Sequence, residues 1–355
     1  MAKKAARKGG KGVYRFSFGP WNIHEGADPF GPTVRQPIAF AKKLRLYRKL
    51  GFTGIQFHDD DAVPNLNDLS PQGVLRKAGE LRGILSDQGL TPEFVAPRLW
   101  EDPRTIDGGY TANSAAARRY AIDRSKVAID IADKLGTNNI VLWLAREGTY
   151  IRESKNARTA HEWLLDAFNK MLGHHPDIRL LIEPKPNEPM DQAYVPTIGH
   201  AIAMAYATDD PSRVGGWIET AHAQLAGLDP SDEMAFALHH KKLWSVHLND
   251  QNGLKFDEDK SFGAANLRAA FNQVRVLEDA GYGQDGEWVG LDVKAMRTTK
   301  QVDDTKHLSN SKRFFELMLE KVRTYNRRKE AELIKKRDYE GVERLVIEHL
   351  LRGKR

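Results

Sequence analysis

The chain has 355 residues, 41% of them hydrophobic, and no cysteine. That length suffices for one barrel-sized domain with a large core, and the missing thiols exclude disulfides, thiolate zinc sites and cysteine nucleophiles. The formal charge of +6 gathers at the two ends, from Lys3 to Lys11 and from Arg327 to Arg355, so it reads as solubilising tails and predicts no nucleic-acid partner.

No apolar run approaches the roughly 20 residues of a membrane span, and the first residues lack an apolar signal segment, so the expectation is a cytoplasmic protein with no membrane partner. Three regions are expected: a basic flexible tail over 1–13, a catalytic domain over 14–325 and a helical extension over 326–355.

In chain order, a β-branched and aromatic run at 14–18 is followed by an amphipathic helix at 37–50. A second strand at 54–58 ends on His58, with Asp61 just after it, and a helix follows at 73–88. A strand at 93–97 and a helix at 114–135 come next, then a strand at 139–144 carrying Trp143 and a helix at 159–172. The strand at 179–183 ends on Glu183, with Lys185 and Glu188 beyond, before a helix at 197–207. The strand at 214–219 ends on Glu219, with His222 three residues later, before a helix at 231–240. A strand at 243–248 carries His247, and Asp257 and Asp259 follow in a loop before a helix at 264–280. The last strand, 287–292, ends on Asp292, two residues before Lys294, and a helix at 309–325 closes the series.

Eight strands each followed by a helix predict an α/β fold of the (β/α)8 TIM-barrel kind, whose reactive groups occupy the carboxyl ends of the strands. The carboxylates and imidazoles named above fall there. Oxygen donors with a few nitrogens suit a hard divalent cation, so the chain reads as built around metal.

The stretches Arg15-Phe-Ser-Phe-Gly19, Phe57-His-Asp-Asp-Asp61, Ile182-Glu-Pro-Lys-Pro-Asn-Glu-Pro189, Glu219-x-x-His222, Lys255-Phe-Asp-Glu-Asp259 and Asp292-x-Lys294 carry a resemblance. Over most of residues 14–325 the chain is similar to the xylose isomerase family in its shorter, actinobacterial form. The resemblance implies conversion of D-xylose to D-xylulose by ring opening and a 1,2-hydride shift. It also implies two divalent cations per chain (Mg²⁺, Mn²⁺ or Co²⁺) and a homo-oligomer, tetramer or dimer.

By the same resemblance, Glu183, Glu219, the residue at 247 and Asp292 hold one cation, and Glu219, His222, Asp257 and Asp259 the other. His58 and Asp61 form the ring-opening pair, the carboxylate fixing the imidazole that shuttles the proton. Lys185 lies beside the substrate's carbonyl oxygen or O1, and Lys294 completes the substrate end while tuning the metal carboxylates. Trp21, Phe30, Trp100 and Trp143 wall the sugar and keep water from C1 and C2, with Phe30 the residue that family members lend to a neighbouring subunit.

The chain departs from the pattern at several places. His247 stands where the family usually has Asp, as in L-rhamnose isomerase, and a nitrogen ligand shifts preference toward Mn²⁺ or Co²⁺. Arg98 adds a cation at the expected pocket rim and Leu144 adds bulk where glycine is usual, which opens the sugar to another pentose, a deoxy sugar or an anionic one. The family's long carboxyl-terminal arm is cut to a mostly charged helix, Glu330–Arg355, which favours fewer subunit contacts. A sugar epimerase, a metal-dependent nuclease on the same barrel and a non-catalytic relic are the competing readings.

Overall fold

The computed structural model describes residues 14–301 and 305–353; the basic tail expected at 1–13 lies outside them. Eight parallel strands close into a barrel: β1 (Arg15–Phe18), β2 (Gly54–His58), β3 (Thr91–Ala96), β4 (Asn139–Trp143), β5 (Arg179–Glu183), β6 (Val214–Glu219), β7 (Leu243–Leu248) and β8 (Trp288–Leu291). Each pairs with its neighbours in sequence, and β1 closes the ring through the register Arg15↔Trp288 to Phe18↔Leu291.

The outer ring is α1 (Phe40–Leu50), α2 (Pro71–Asp87), α3 (Ala115–Leu135), α4 (Ala157–His174), α5 (Ile198–Ala207), α6 (Pro230–His239), α7 (Leu267–Ala280) and α8 (Lys306–Thr324). Local chemistry sets these ends. Ser70, Ser114, Asn156 and Asn266 each accept a backbone N–H from the first turn of the helix they precede. Gly51 and Gly136 close α1 and α3 at φ 72° and 91°, where a side chain would be strained.

The predicted (β/α)8 barrel is the fold found, with strand limits moved by one or two residues. What the sequence pattern did not foresee are two short helices directly after strands, Asp59–Ala62 and Thr220–Leu225, and a ribbon pairing Gly148–Thr149 with Gln192–Ala193. The single charged helix expected beyond residue 330 is instead two, α9 (Arg327–Lys335) and α10 (Tyr339–Leu351), broken where Arg337 adopts φ 56°. They fold back on their own barrel: Arg275 makes two 2.7 Å bonds to Glu330, and Val346 joins the main core.

Most of the core lies between strands and helices, as a parallel barrel requires. A second, small cluster fills the barrel interior with Phe94, Ala96, Val141, Leu181 and Trp217. Among the described residues no helix is long and apolar enough to cross a membrane.

Candidate active site

A cavity of about 530 Å³ opens at the carboxyl ends of the strands. Turning directly from strand into helix sets two of its three histidines. His58 ends β2 and Asp61 sits on the next turn, so that His58 Nδ1 and Asp61 Oδ2 are 2.8 Å apart. Likewise His222 turns back over Glu219, with Nε2 3.2 Å from Glu219 Oε1.

Glu219 is 2% exposed and belongs to three donor groups at once: with Glu183 and His222, with His247 and Asp292, and with Asp257 and Asp259. All seven predicted ligands are therefore together, and the one expected to be shared is the one at the centre. His222 Nε2 lies 3.0 Å from Asp257 Oδ2, and His247 Nδ1 lies 3.7 Å from Glu219 Oε2 and 3.9 Å from Asp292 Oδ2. Three atoms of this cluster, His222 Nδ1, His247 Nδ1 and Asp257 Oδ1, are buried without a hydrogen-bond partner. Buried polar atoms are normally paired, so three orphans on ligand-type side chains fit a site shaped to hold cations.

The electrostatics agree. Burial, then the neighbouring carboxylates, pushes Glu219 and Asp292 well above the ordinary carboxylate range. Burial raises Glu183 and Asp259 as well. Asp257 runs the other way: burial opposes its charge, yet Lys185 and His222 outweigh it and hold the carboxyl well below the usual range. Burial, with His222 and His58 nearby, keeps His247 neutral far below the ordinary imidazole range. Five crowded carboxylates are thus answered by two ammonium groups: Lys185 Nζ is 2.8 Å from Asp257 Oδ2 and 3.3 Å from Glu188 Oε2, and Lys294 Nζ is 2.7 Å from Asp259 Oδ2.

Three of the four predicted aromatics form one wall. Trp21 lies 4.2 Å from the His58 ring, Trp100 5.2 Å from it, and Trp100 and Trp143 meet edge to face at 4.5 Å. The Trp21 indole donates to Asp292 Oδ1 at 2.9 Å, so it also positions a candidate ligand. Phe30 does not line the cavity of its own chain; it is 82% exposed beside Phe256.

Two departures act differently from expectation. Leu144 is buried in the outer core and leaves the cavity's volume untouched. Arg98 is no free rim cation. Its guanidinium is committed to Asp60 at 2.8 Å, Asp61 at 3.0 Å and Glu101 at 3.3 Å, which leaves little charge for an anionic sugar. Its Nη2 also lies 2.7 Å from His58 Nδ1, so Arg98 and Asp61 compete for a nitrogen that can either donate or accept.

Sequence reasoning missed Asn249, whose amide donates to Glu219 Oε1 at 2.8 Å while its oxygen accepts from Ala221 N and Thr220 Oγ1. It also missed Gln56, which meets His247 Nε2 at 3.0 Å. Neither carries a charge, and only the pairing of distant strands reveals them.

Fold and site together define a (β/α)8 barrel whose strand-end carboxylates and imidazoles could hold divalent metal. Residues 44–311 match the family described as Xylose isomerase-like TIM barrel, and the chain belongs to that family. It is 35% identical to the xylose isomerase of Thermus thermophilus over 277 residues, which cover 77% of this chain and 71% of that protein. Among solved structures it is similar in fold to a D-tagatose 3-epimerase-like protein, at a TM-score of 0.64 and 15% identity over 87% of this chain and 99% of that one. An L-ribulose 3-epimerase matches with a TM-score of 0.58 and 15% identity, covering 91% and 98% of the two chains.

Proposed function

We propose that the protein is a metal-dependent aldose–ketose isomerase of the short, actinobacterial type, with D-xylose and D-xylulose as its first substrate pair. The observation that carries this reading is Glu219, common to three donor groups that include all seven predicted ligands. Ligand-type side chains gathered around one common carboxylate would suit a pair of divalent ions. In this reading Glu183, Glu219, His247 and Asp292 would hold one ion, and Glu219, His222, Asp257 and Asp259 the second, with Mg²⁺, Mn²⁺ and Co²⁺ as candidates. When bound, such ions polarise a carbonyl and orient neighbouring hydroxyls.

The rest is done by the chain. His58 exchanges a proton between the ring oxygen and the anomeric hydroxyl, held in place by Asp61 and Arg98. Trp21, Trp100 and Trp143 keep water from C1 and C2 of the opened sugar. The hydrogen on C2 then moves with its bonding pair to C1, forming a C1–H bond, while the proton on O2 leaves as C2 becomes the carbonyl and one is gained at O1, so aldose becomes ketose without an external reductant. Lys185 stabilises negative charge developing at O1, and Lys294 keeps Asp259 in place. Catalysis is assigned to 14–325, and the exposed Phe30 supports a homo-oligomer, dimer or tetramer, in the cytoplasm.

An aldose panel with each of the three ions, read by ketose formation, tests the activity. Appearance only of a C3 epimer would replace isomerase with epimerase. For the proton path, isomerisation in deuterated water is expected to leave carbon-bound hydrogen almost unlabelled. Substantial deuterium at C1 of the ketose would mean an enediol route through a base.

His247 makes a separate prediction. His247→Asp restores a sixth carboxylate, so Mg²⁺ should gain relative to Mn²⁺ and Co²⁺. An unchanged metal ranking would show that His247 is not a ligand.

A further inference from the structure

Below the ligand cluster, inside the barrel, four strands send polar side chains to one point. Ser17 on β1, Gln56 on β2, Glu93 on β3 and Ser245 on β7 are all 1% exposed or less. Glu93 receives neutral donors: Ser17 Oγ, Ser245 Oγ at 2.5 Å and Gln56 Nε2 at 3.0 Å. A carboxylate kept in a barrel interior is expensive in free energy compared with an apolar side chain, and the reaction described above does not use this one.

The hydrogen count gives it a task. The Gln56 amide nitrogen donates to Glu93 Oε2 and to Ser17 Oγ at 3.1 Å, so its oxygen faces the other way, 3.0 Å from His247 Nε2. An amide flip would set that oxygen against the Glu93 carboxylate. An amide oxygen only accepts, so His247 Nε2 bears the hydrogen and Nδ1 keeps its lone pair. That Nδ1 is the buried, unpartnered atom facing Glu219 and Asp292. Trp217, edge to face at 4.2 Å, holds the ring. Gly290 on β8 leaves the room, because a Cβ there would fall 2.6 Å from Gln56 Nε2 and 2.8 Å from His247 Cδ2.

We propose that Glu93 and Gln56 form a positioning relay that presents His247 Nδ1, unprotonated and correctly aimed, to a divalent cation beside Glu219 and Asp292. The relay is the accompaniment to having imidazole at 247: a carboxylate needs no tautomer chosen for it, whereas a histidine ligand does. It rests on His247 being a ligand, and the experiment separates the two claims.

Metal-free protein labelled with ¹⁵N-histidine is examined by long-range ¹H–¹⁵N correlation, beside Gln56→Met and Glu93→Gln, and each is titrated calorimetrically with Mn²⁺. His247 of the parent is expected to show protonated Nε2 and unprotonated Nδ1. Gln56→Met is expected to mix the tautomers and weaken one of two Mn²⁺ sites by about 10- to 100-fold, with Glu93→Gln between it and the parent. Mixed tautomers in a parent that binds two ions would overturn the relay alone. A single Nε2–H tautomer in a parent that binds no ion would overturn the metal centre and the relay's role together. Should the variants be too unstable to label, the parent spectrum still decides, since a protonated Nδ1 contradicts the relay outright.

Discussion

Replacing Glu219 with glutamine is expected to abolish isomerisation and to reduce divalent-ion binding from two sites to one or none. Glu219 is the residue that all three donor groups share, so its change to a neutral amide takes a carboxylate ligand from both proposed ions at once. Polarisation of a carbonyl by bound metal contributes several kcal/mol, and at about 1.4 kcal/mol per decade the rate should fall by roughly 10³-fold or more. The metal-free variant should also melt higher than the metal-free parent. Burial and the charges of Asp257, Asp292, Asp259 and Glu183 all oppose ionisation of Glu219, and glutamine removes that conflict. Activity assays, calorimetry and thermal melts read the three effects; a variant that keeps parental rate and two bound ions would disprove the shared-ligand assignment.

Removing divalent ions is expected to destabilise the parent much more at about pH 8 than at about pH 5. Glu219 and Asp292 are held well above their ordinary values of 4.5 and 3.8, and Glu183 and Asp259 are raised. A carboxyl raised in the folded state contributes stability that is whole below its unfolded value and lost as pH rises through its folded value. The four groups therefore weaken the metal-free fold progressively from about pH 4 upward. Asp257, depressed by Lys185 and His222 against its burial, contributes in the opposite sense, above 3.8 and down to its own lowered value. His247, depressed by burial, withdraws stability as pH falls below 6.5. Cations replace protons on the four raised carboxyls, so the gain on adding metal grows with pH, reaching about 4 kcal/mol for an ion at a thousandfold excess over its Kd. Melts with and without chelator at the two pH values measure it; an ion effect as large at the acid value would mean that these carboxylates do not bind the metal.

Much of this molecule was legible beforehand. The barrel followed from apolar runs alternating with amphipathic stretches, and Ser114, Asn156 and Gly136 mark helix ends by chemistry that operates within a few residues. Glu183, Glu219 and Asp292 could be placed together because a parallel barrel gathers the carboxyl ends of its strands at one face. Glu93, read only as the start of a strand, and Gln56 and Ser245, not singled out at all, were opaque for the converse reason. Both faces of such strands are buried, so no polar alternation marks the inward side chains. Bulges at Ile55/Gln56 and Gly216/Trp217 shift the register as well.

By itself, then, the amino-acid order determined the barrel, the ligand-type side chains and the strand ends that carry them, since these depend on local propensity and period. Tertiary structure alone decided that Arg98 is tied to Asp60 and Asp61, that Leu144 turns outward, and that Gln56 reaches both Glu93 and His247. Those contacts join residues that only ring closure brings within hydrogen-bond distance, Gln56 and His247 being 191 positions apart in the chain.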